Sequence, residues 1–309
     1  MGVHSILITG GTGAIGSVLV KKLAESGNTI RVLTLPNDPL VSRLDGLSVD
    51  IRYGDISNKQ ELKGICEGID TVIHCAAVII ADDSTIFDKI NIKGTGNILS
   101  EAALYDVKHF IHISSASVVY RKVTPYSLSK RVAERLVKDS NVPWTIVRPT
   151  LVYGKVGGQE FDMFLDYLNK FPIIPFIGDG LAIKRPVFVD DLIDGFVKLA
   201  NIKEGTHKIY NFSGANSISM IDFARYCLML MGENGIILKL PVWFCIVLAY
   251  LMKKTMKKPP LRWNMIAGVI QDADLDPSDA VGDLGYNPSV LYEKLPACFP
   301  RLKPGSAPG

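Results

Sequence analysis

A chain of 309 residues with 48% hydrophobic and 21% charged residues has the composition of a folded globular protein, which excludes long disordered segments. Its 34 basic and 31 acidic residues leave a net charge of +3, too little for a nucleic-acid-binding surface unless the charge is clustered, and the one cluster is Lys253-Lys254-Thr255-Met256-Lys257-Lys258. Cys66, Cys75, Cys227, Cys245 and Cys298 are odd in number and form no CxxC pair, so neither a metal site nor a disulfide framework is expected and a reducing, cytoplasmic setting fits.

The length predicts one large α/β domain with a lobe, or two domains. Met1-Gly2-Val3-His4-Ser5 lacks the basic start of a signal peptide, and a strand follows at once, so nothing is expected to precede the fold. The apolar run Ile6-Leu7-Ile8-Thr9 leads into glycines spaced GxxGxxG, Gly10, Gly13 and Gly16, with Ile15, Val18, Leu19 and Leu23 at helical spacing behind them. That reads as strand, tight turn, helix. Glycines there let backbone approach a pyrophosphate, and the first N–H groups of the helix point at it.

Further strands are predicted over 29–34, 49–53, 71–74, 110–113 and 144–148, the last stopped by Pro149, with helices over about 84–105 and 126–138. This alternation predicts a parallel sheet covered on both faces, wound by right-handed crossovers into a doubly wound, dinucleotide-binding arrangement. The rhythm breaks after Gly154. An amphipathic segment over 161–168, a strand over 183–189, helix over 190–200, strand over 208–212 and helix over 219–231 follow. The expected division is a dinucleotide-binding domain over 1–154 and a mainly substrate-binding lobe over 155–309, with about 183–212 returning to the main domain. The closing stretch, Lys303 to Gly309, reads as a disordered tail.

Leu240 to Met252 is the most apolar stretch, shorter than the roughly 20 residues that span a bilayer. A buried or subunit-interface helix is expected, in keeping with a homodimer. The alternative is peripheral membrane contact through 240–258, since an apolar helix and adjacent lysines both favour it.

The strand over 110–113 delivers Ser114-Ser115-Ala116-Ser117 at its carboxyl end, where open α/β sheets place their ligands. Tyr126 and Lys130 follow, four apart and so on one helix face. An ammonium beside a phenol lowers its pKa, which would let Tyr126 exchange a proton with a substrate hydroxyl while a serine hydroxyl binds the same oxygen. His74 and His112, within predicted strands, are expected to be hydrogen-bonded core residues, and no metal site is implied.

These motifs, with Gly54-Asp55, His74-Cys75-Ala76-Ala77, Asn91-Ile92-Lys93-Gly94-Thr95 and Arg148-Pro149-Thr150-Leu151-Val152-Tyr153-Gly154, resemble the extended short-chain dehydrogenase/reductase family and its NAD-dependent epimerase/dehydratase branch over nearly the whole chain. The resemblance implies a Rossmann-type sheet with a smaller C-terminal substrate lobe, and an NAD(P)-dependent enzyme acting on a hydroxyl or ketone. It implies Ser115, Tyr126 and Lys130 as catalytic residues. It further implies cofactor contacts at Gly10, Gly13, Ala14, Ile15, Gly16, Thr34, Asp55, Ile56, Ala76, Ala77, Asn91, Tyr126, Lys130 and Pro149. Arg185, in Arg185-Pro186-Val187-Phe188-Val189-Asp190-Asp191, resembles the arginine that binds a nucleotide-sugar pyrophosphate. Substrate binding is thus expected at Ser115 and Arg185.

The favoured substrate is a nucleotide sugar and the favoured reaction its epimerisation. The alternatives are a nucleotide-sugar ketoreductase, a dehydrogenase of hydroxysteroids or other hydrophobic alcohols, and a non-catalytic dinucleotide-binding protein. Ala116 and Ser117 stand where dehydratases carry acidic residues. Thr34 stands where NAD-preferring members place a carboxylate, and Arg31 and Arg43 are the nearby arginines, so NAD and NADP are both expected ligands with NAD ahead.

Overall fold

The computed structural model describes residues 4–155, 158–256, 259 and 261–299. The first half builds β1 (Ser5–Thr9), α1 (Ala14–Glu25), β2 (Thr29–Thr34), β3 (Val49–Tyr53) and β4 (Thr71–His74). Next, α2 (Thr85–Phe87) runs through a π-helical segment (Asp88–Gly94) into α3 (Thr95–Leu104), followed by β5 (His109–Ile113), α4 (Pro125–Lys138) and β6 (Trp144–Pro149). The second half holds β7 (Val152–Tyr153), α5 (Gln159–Asn169), β8 (Ile173–Ile177), β9 (Ile183–Lys184), β10 (Val187–Phe188), α6 (Val189–Ala200) and β11 (Ile209–Phe212). It ends with β12 (Ile218–Ser219), α7 (Met220–Met231), β13 (Ile236–Leu240), α8 (Val242–Thr255), α9 (Trp263–Ile270), α10 (Ser278–Leu284) and α11 (Leu291–Lys294).

Seven parallel strands form the main sheet in the order β11-β6-β5-β4-β1-β2-β3. The chain winds outward from β1 on one side and from β4 on the other, so the crevice of this doubly wound α/β fold opens at the carboxyl ends of β1 and β4. The middle of β1 is apolar because both of its faces are covered: Ile6 and Ile8 join one core cluster and Leu7 the other. Region 183–212 is divided in its loyalty. β11 pairs with β6 and α6 packs on α1, so both complete the main domain. A third cluster, including Tyr153, Phe161, Phe176, Phe223 and Leu291, is the core of the smaller lobe.

Local chemistry explains the element ends that position the site. Thr124 and Ser127 form a reciprocal capping box, with Pro125 opening α4. Arg131 on that helix donates from Nε to the Val118 carbonyl at 2.7 Å and from Nη2 to the Tyr120 carbonyl, tying the serine loop to the helix. Beneath, Glu134 is 4% exposed and accepts two bonds from Arg148, at 2.8 and 2.7 Å, and one from Ser114 at 2.6 Å. Burial pushes the Glu134 carboxyl up, but those donors and the guanidinium charge outweigh it and hold it below the usual range.

Several predicted elements are corrected. The strand expected over 183–189 is two short strands in different sheets, β9 against β12 and β10 against β7, because Pro186 offers no amide to continue a ladder. The helix expected over 84–105 contains the π-helical segment, and β8, β13 and α9 were not predicted. His74 is hydrogen-bonded as expected, between Thr9 at 2.7 Å and Thr95 at 3.0 Å, whereas both ring nitrogens of buried His112 lack partners among the described residues. The apolar stretch over 240–252 is not a buried helix: within α8 only Cys245 and Ala249 are buried. Among the described residues no helix is long and apolar enough to cross a membrane.

Burial lowers the pKa of His74 to about 3, that of His109 to about 4, and that of His112 well below its ordinary value. Each imidazole is therefore neutral in the fold and takes up a proton on unfolding once the pH drops below about 6.5. The stability is present above that pH and is lost as the pH falls towards the folded values. Urea unfolding should show stability declining by up to about 1.4 kcal/mol per pH unit per histidine between about pH 6 and 5. His112→Leu should flatten this slope by about one-third and leave stability at pH 7 undiminished, since it removes no hydrogen bond; an unchanged slope would refute this account.

Candidate active site

Between β1 and α1 the chain makes a turn that glycine alone permits. Gly10 has φ +68°, and a Cβ there would lie 2.8 Å from the backbone of Ala76, at the end of β4. A Cβ on Gly16 would lie 2.2 Å from the Gly10 carbonyl oxygen, which accepts the Gly13 amide at 3.1 Å. Gly13 caps α1 without a side chain, and the first turn, Ala14-Ile15-Gly16, contains no acidic residue. The free amides and positive end of α1 therefore meet the crevice with no carboxylate competing for them, a donor set that fits the pyrophosphate of a dinucleotide.

At the end of β2 the structure supplies a carboxylate that the sequence reading missed. Asp38 accepts from Thr12 Oγ1 at 2.6 Å and Thr34 Oγ1 at 2.5 Å on one oxygen, and from the Leu40 amide at 2.9 Å on the other. Burial raises its carboxyl, but these donors and Arg43 win and hold it below the usual range. Asn37 at φ +61° lets the chain turn back to bring Asp38 there. Arg43 Nη1 binds the Thr12 carbonyl at 3.1 Å, beside the same turn. Arg31 is spoken for elsewhere, by Asp50 and the carbonyls of Ile65 and Glu67.

The other candidate cofactor residues line the same edge. Asp55 Oδ1 accepts the Ser57 amide at 2.8 Å, while Ile56 is buried against Gly94. Ala76 and Ala77 follow β4, and Pro149 ends β6. Asn91, inside the π-helical segment, exchanges hydrogen bonds with the Val78 backbone at 2.8 and 2.9 Å and donates to Ser129 Oγ at 3.0 Å. It thereby joins the loop after β4 to α4.

Of the three strand-end serine hydroxyls, that of Ser114 is engaged by Glu134 and that of Ser117 is buried without a partner among the described residues, whereas Ser115 is partly exposed and its Oγ accepts the Ser117 amide at 3.1 Å. Lys130 is buried, and its Nζ donates to the Ile113 carbonyl at 2.6 Å. The lysine was expected to lower the Tyr126 pKa. Instead, burial pushes the phenol up and Glu160 adds to this, with the nearby Ser115 hydroxyl the opposing influence. The reason is geometric: the ammonium is aimed at a backbone carbonyl. Burial in turn lowers the Lys130 pKa to about 8, although Glu134 opposes this.

The lobe contributes charge to this neighbourhood that no motif announced. Lys184, 5% exposed, donates to the Gly268 carbonyl at 2.7 Å and the Tyr120 hydroxyl at 3.3 Å, and burial lowers its pKa to about 8. Arg185 stands apart from the tyrosine: its Nε donates to Asp274 at 2.7 Å and its Nη1 to the Ala215 carbonyl at 3.3 Å, while its own carbonyl accepts from Thr150.

A doubly wound parallel sheet with this turn and with Ser115, Tyr126 and Lys130 at the same edge is the architecture of an enzyme of the short-chain dehydrogenase/reductase type. Residues 6–212 match the NAD dependent epimerase/dehydratase family, and the chain belongs to that family. It is 28% identical over 265 residues to a UDP-glucose 4-epimerase of Vibrio cholerae, covering 77% of this chain and 79% of that protein. It is 25% identical over 271 residues to the decarboxylating sterol-4-alpha-carboxylate 3-dehydrogenase of Mus musculus, covering 79% and 74%. The fold is similar to that of a UDP-glucuronic acid 4-epimerase from Bacillus cereus in complex with UDP-glucuronic acid and NAD, with a TM-score of 0.72 at 22% identity over 96% of this chain and 98% of that one.

Because the atom nearest a new Cβ at position 16 is backbone, Gly16→Ala cannot be relieved by rotating a side chain. A loss of about 1–3 kcal/mol in urea unfolding is expected, against no loss for Gly282→Ala, which lies within α10 at an ordinary φ with open space around it. Equal stability of Gly16→Ala and the parent would contradict the close packing of the turn.

Proposed function

We propose that the protein is an NAD(P)-dependent oxidoreductase acting on a hydroxyl or ketone of a nucleotide sugar, most simply as an epimerase. The observation that carries the chemistry is the placement of Ser115 just after β5 and of Tyr126 and Lys130 four residues apart on α4, at the sheet edge where the glycine turn also opens. In this reading residues 1–154 hold the dinucleotide and 155–309 mainly the substrate. Gly10, Gly13, Ala14, Ile15 and Gly16 would hold the pyrophosphate, and Thr34 with Asp38 the adenosine ribose. Asp55 and Ile56 would hold the adenine, and Ala76, Ala77, Asn91, Lys130 and Pro149 the nicotinamide half. The nicotinamide ring supplies the carbon that accepts and returns a hydride.

The roles of the chain's own groups follow from their environments. Ser115 orients the reacting oxygen. Tyr126, a neutral phenol at pH 7, is set to donate a proton to that oxygen as negative charge develops there, and accepts one in the opposite direction. Lys130, held by the Ile113 carbonyl, places a cationic donor on the same face of α4. Asn91 keeps that helix and the loop after β4 in register. The carboxylate of Asp38 favours NAD, because it accepts from ribose hydroxyls and repels a 2′-phosphate.

A second reading, a dehydrogenase of hydrophobic alcohols, is favoured by one observation: the arginine proposed for the substrate pyrophosphate already has a carboxylate partner, Asp274. The likeness to a sterol dehydrogenase supports it too. Native mass spectrometry of the protein as purified tests both readings, since a retained dinucleotide and any co-purified nucleotide identify themselves by mass. Turnover of nucleotide sugars with no added cofactor supports the epimerase; turnover of apolar alcohols only, with stoichiometric cofactor consumption, supports the dehydrogenase.

Tyr126→Phe should lower kcat by about 100-fold or more while leaving dinucleotide affinity within a few-fold, measured by fluorescence titration. Retained turnover would remove Tyr126 from the chemistry. With the phenol pKa raised, the oxidation rate should climb with pH across the alkaline range, whereas the reduction rate stays flat or falls. Asp38→Ala should weaken NAD more than NADP by about 10-fold; an unchanged ratio would mean that Asp38 only shapes the turn.

A further inference from the structure

The helix α8 has two faces of different character. Cys245, Ala249 and the partly buried Met252 recur at helical spacing, and the first two pack with Ile266 of α9 in a small satellite core. On the other side Trp243, Val247, Tyr250 and Leu251 share one face and are exposed, Trp243 to 68% and Tyr250 to 59%. Phe244 and Ile246 are exposed as well, and so are Ile236 and Leu238 of the preceding strand. A soluble surface rarely leaves so many large apolar side chains together unless something covers them.

Charge identifies what covers them. The 38 residues from Asn234 to Gln271 contain no Asp or Glu and carry Lys239, Lys253, Lys254, Lys257, Lys258 and Arg262, whereas the rest of the chain has 28 basic and 31 acidic residues. Lys239, Lys253 and Lys254 are exposed, and the ammonium of Lys254 lies 4.7 Å from the centre of the Tyr250 ring. Arg262 is paired with Asp82 across the fold. A second copy docking on this face about a twofold axis would bring the cationic segment against itself. A surface combining negative headgroups with accessible acyl chains satisfies both features at once.

We propose that α8 with its flanking lysines docks the enzyme peripherally on an anionic lipid bilayer, with Trp243, Val247, Tyr250 and Leu251 entering the headgroup boundary. This goes beyond the catalytic reading and does not rest on it. The docking face is also wired to the catalytic side. Gln271, just after α9, donates to the Lys122 carbonyl at 3.1 Å in the loop before Tyr126, and Lys184 joins the Gly268 carbonyl of α9 to Tyr120.

The test is flotation of the full chain with phosphatidylcholine vesicles, with and without about one-third phosphatidylserine, at low and high salt. Binding is expected only to the anionic vesicles, with loss at high salt and a blue shift of tryptophan emission that Trp243→Phe abolishes. Lys253→Glu/Lys254→Glu and, separately, Trp243→Ser/Val247→Ser should each reduce binding about 10-fold or more while circular dichroism stays unchanged, because all four side chains are exposed. Absence of flotation at low salt overturns the proposal, as does binding unaffected by the glutamate variant. A dimer in sedimentation velocity that Trp243→Ser/Val247→Ser dissociates, without vesicle binding, would assign the face to a second copy.

Discussion

The whole site depends on how closely two backbones approach at the centre of the sheet. β1 and β4 are neighbours, and the turn leaving β1 runs so near the start of the loop leaving β4 that no side chain fits at position 10. That contact sets where α1 begins, and so where the positive end of its peptide dipoles lies. It also fixes Ala76, and through the loop to Val78 it reaches Asn91, Ser129 and the helix that carries Tyr126 and Lys130. The helix α4 and the glycine turn are thus coupled by a few short polar links and do not float independently on their strands.

Much of this was legible in the sequence because it rests on local rules. Strands buried on both faces are mostly apolar, so Ile6 to Ile8 and Val72-Ile73 declare themselves, and glycines at a strand-to-helix turn have few other reasons to be spaced as Gly10, Gly13 and Gly16 are. What escaped notice rests on pairing that sequence does not announce. Pro175 argues against a strand, yet β8 has a single partner, β13, so one of its edges needs no amide. Asp38 lies past the end of β2 and reaches Thr34 only because Asn37 turns the chain back. Glu160 and Lys184 gain their influence from a lobe whose placement no motif encodes.

Burial dominates the electrostatics of the site. Tyr126 and Lys130 share a helix face, and spacing alone suggests that the cation should ease ionisation of the phenol. Desolvation acts on both, however, disfavouring the phenolate and the ammonium alike, so each is drawn towards its neutral form. His112, stacked on His74 at 5.7 Å with both nitrogens unpartnered, reflects the same regime: a polar side chain retained in a dry interior as a neutral ring.

The clasp of Asp38 on Thr12 and Thr34 has a kinetic meaning. It holds the first and second strand ends in one arrangement through side chains of the protein itself, so the turn is preorganised and a ligand loses little conformational entropy there on entering. Ribose hydroxyls that reach the same carboxylate must compete with the two threonines for its lone pairs. In the proposed reading, exchange of those partners one hydrogen bond at a time gives the ribose a stepwise path in and out at a point distant in sequence from Tyr126.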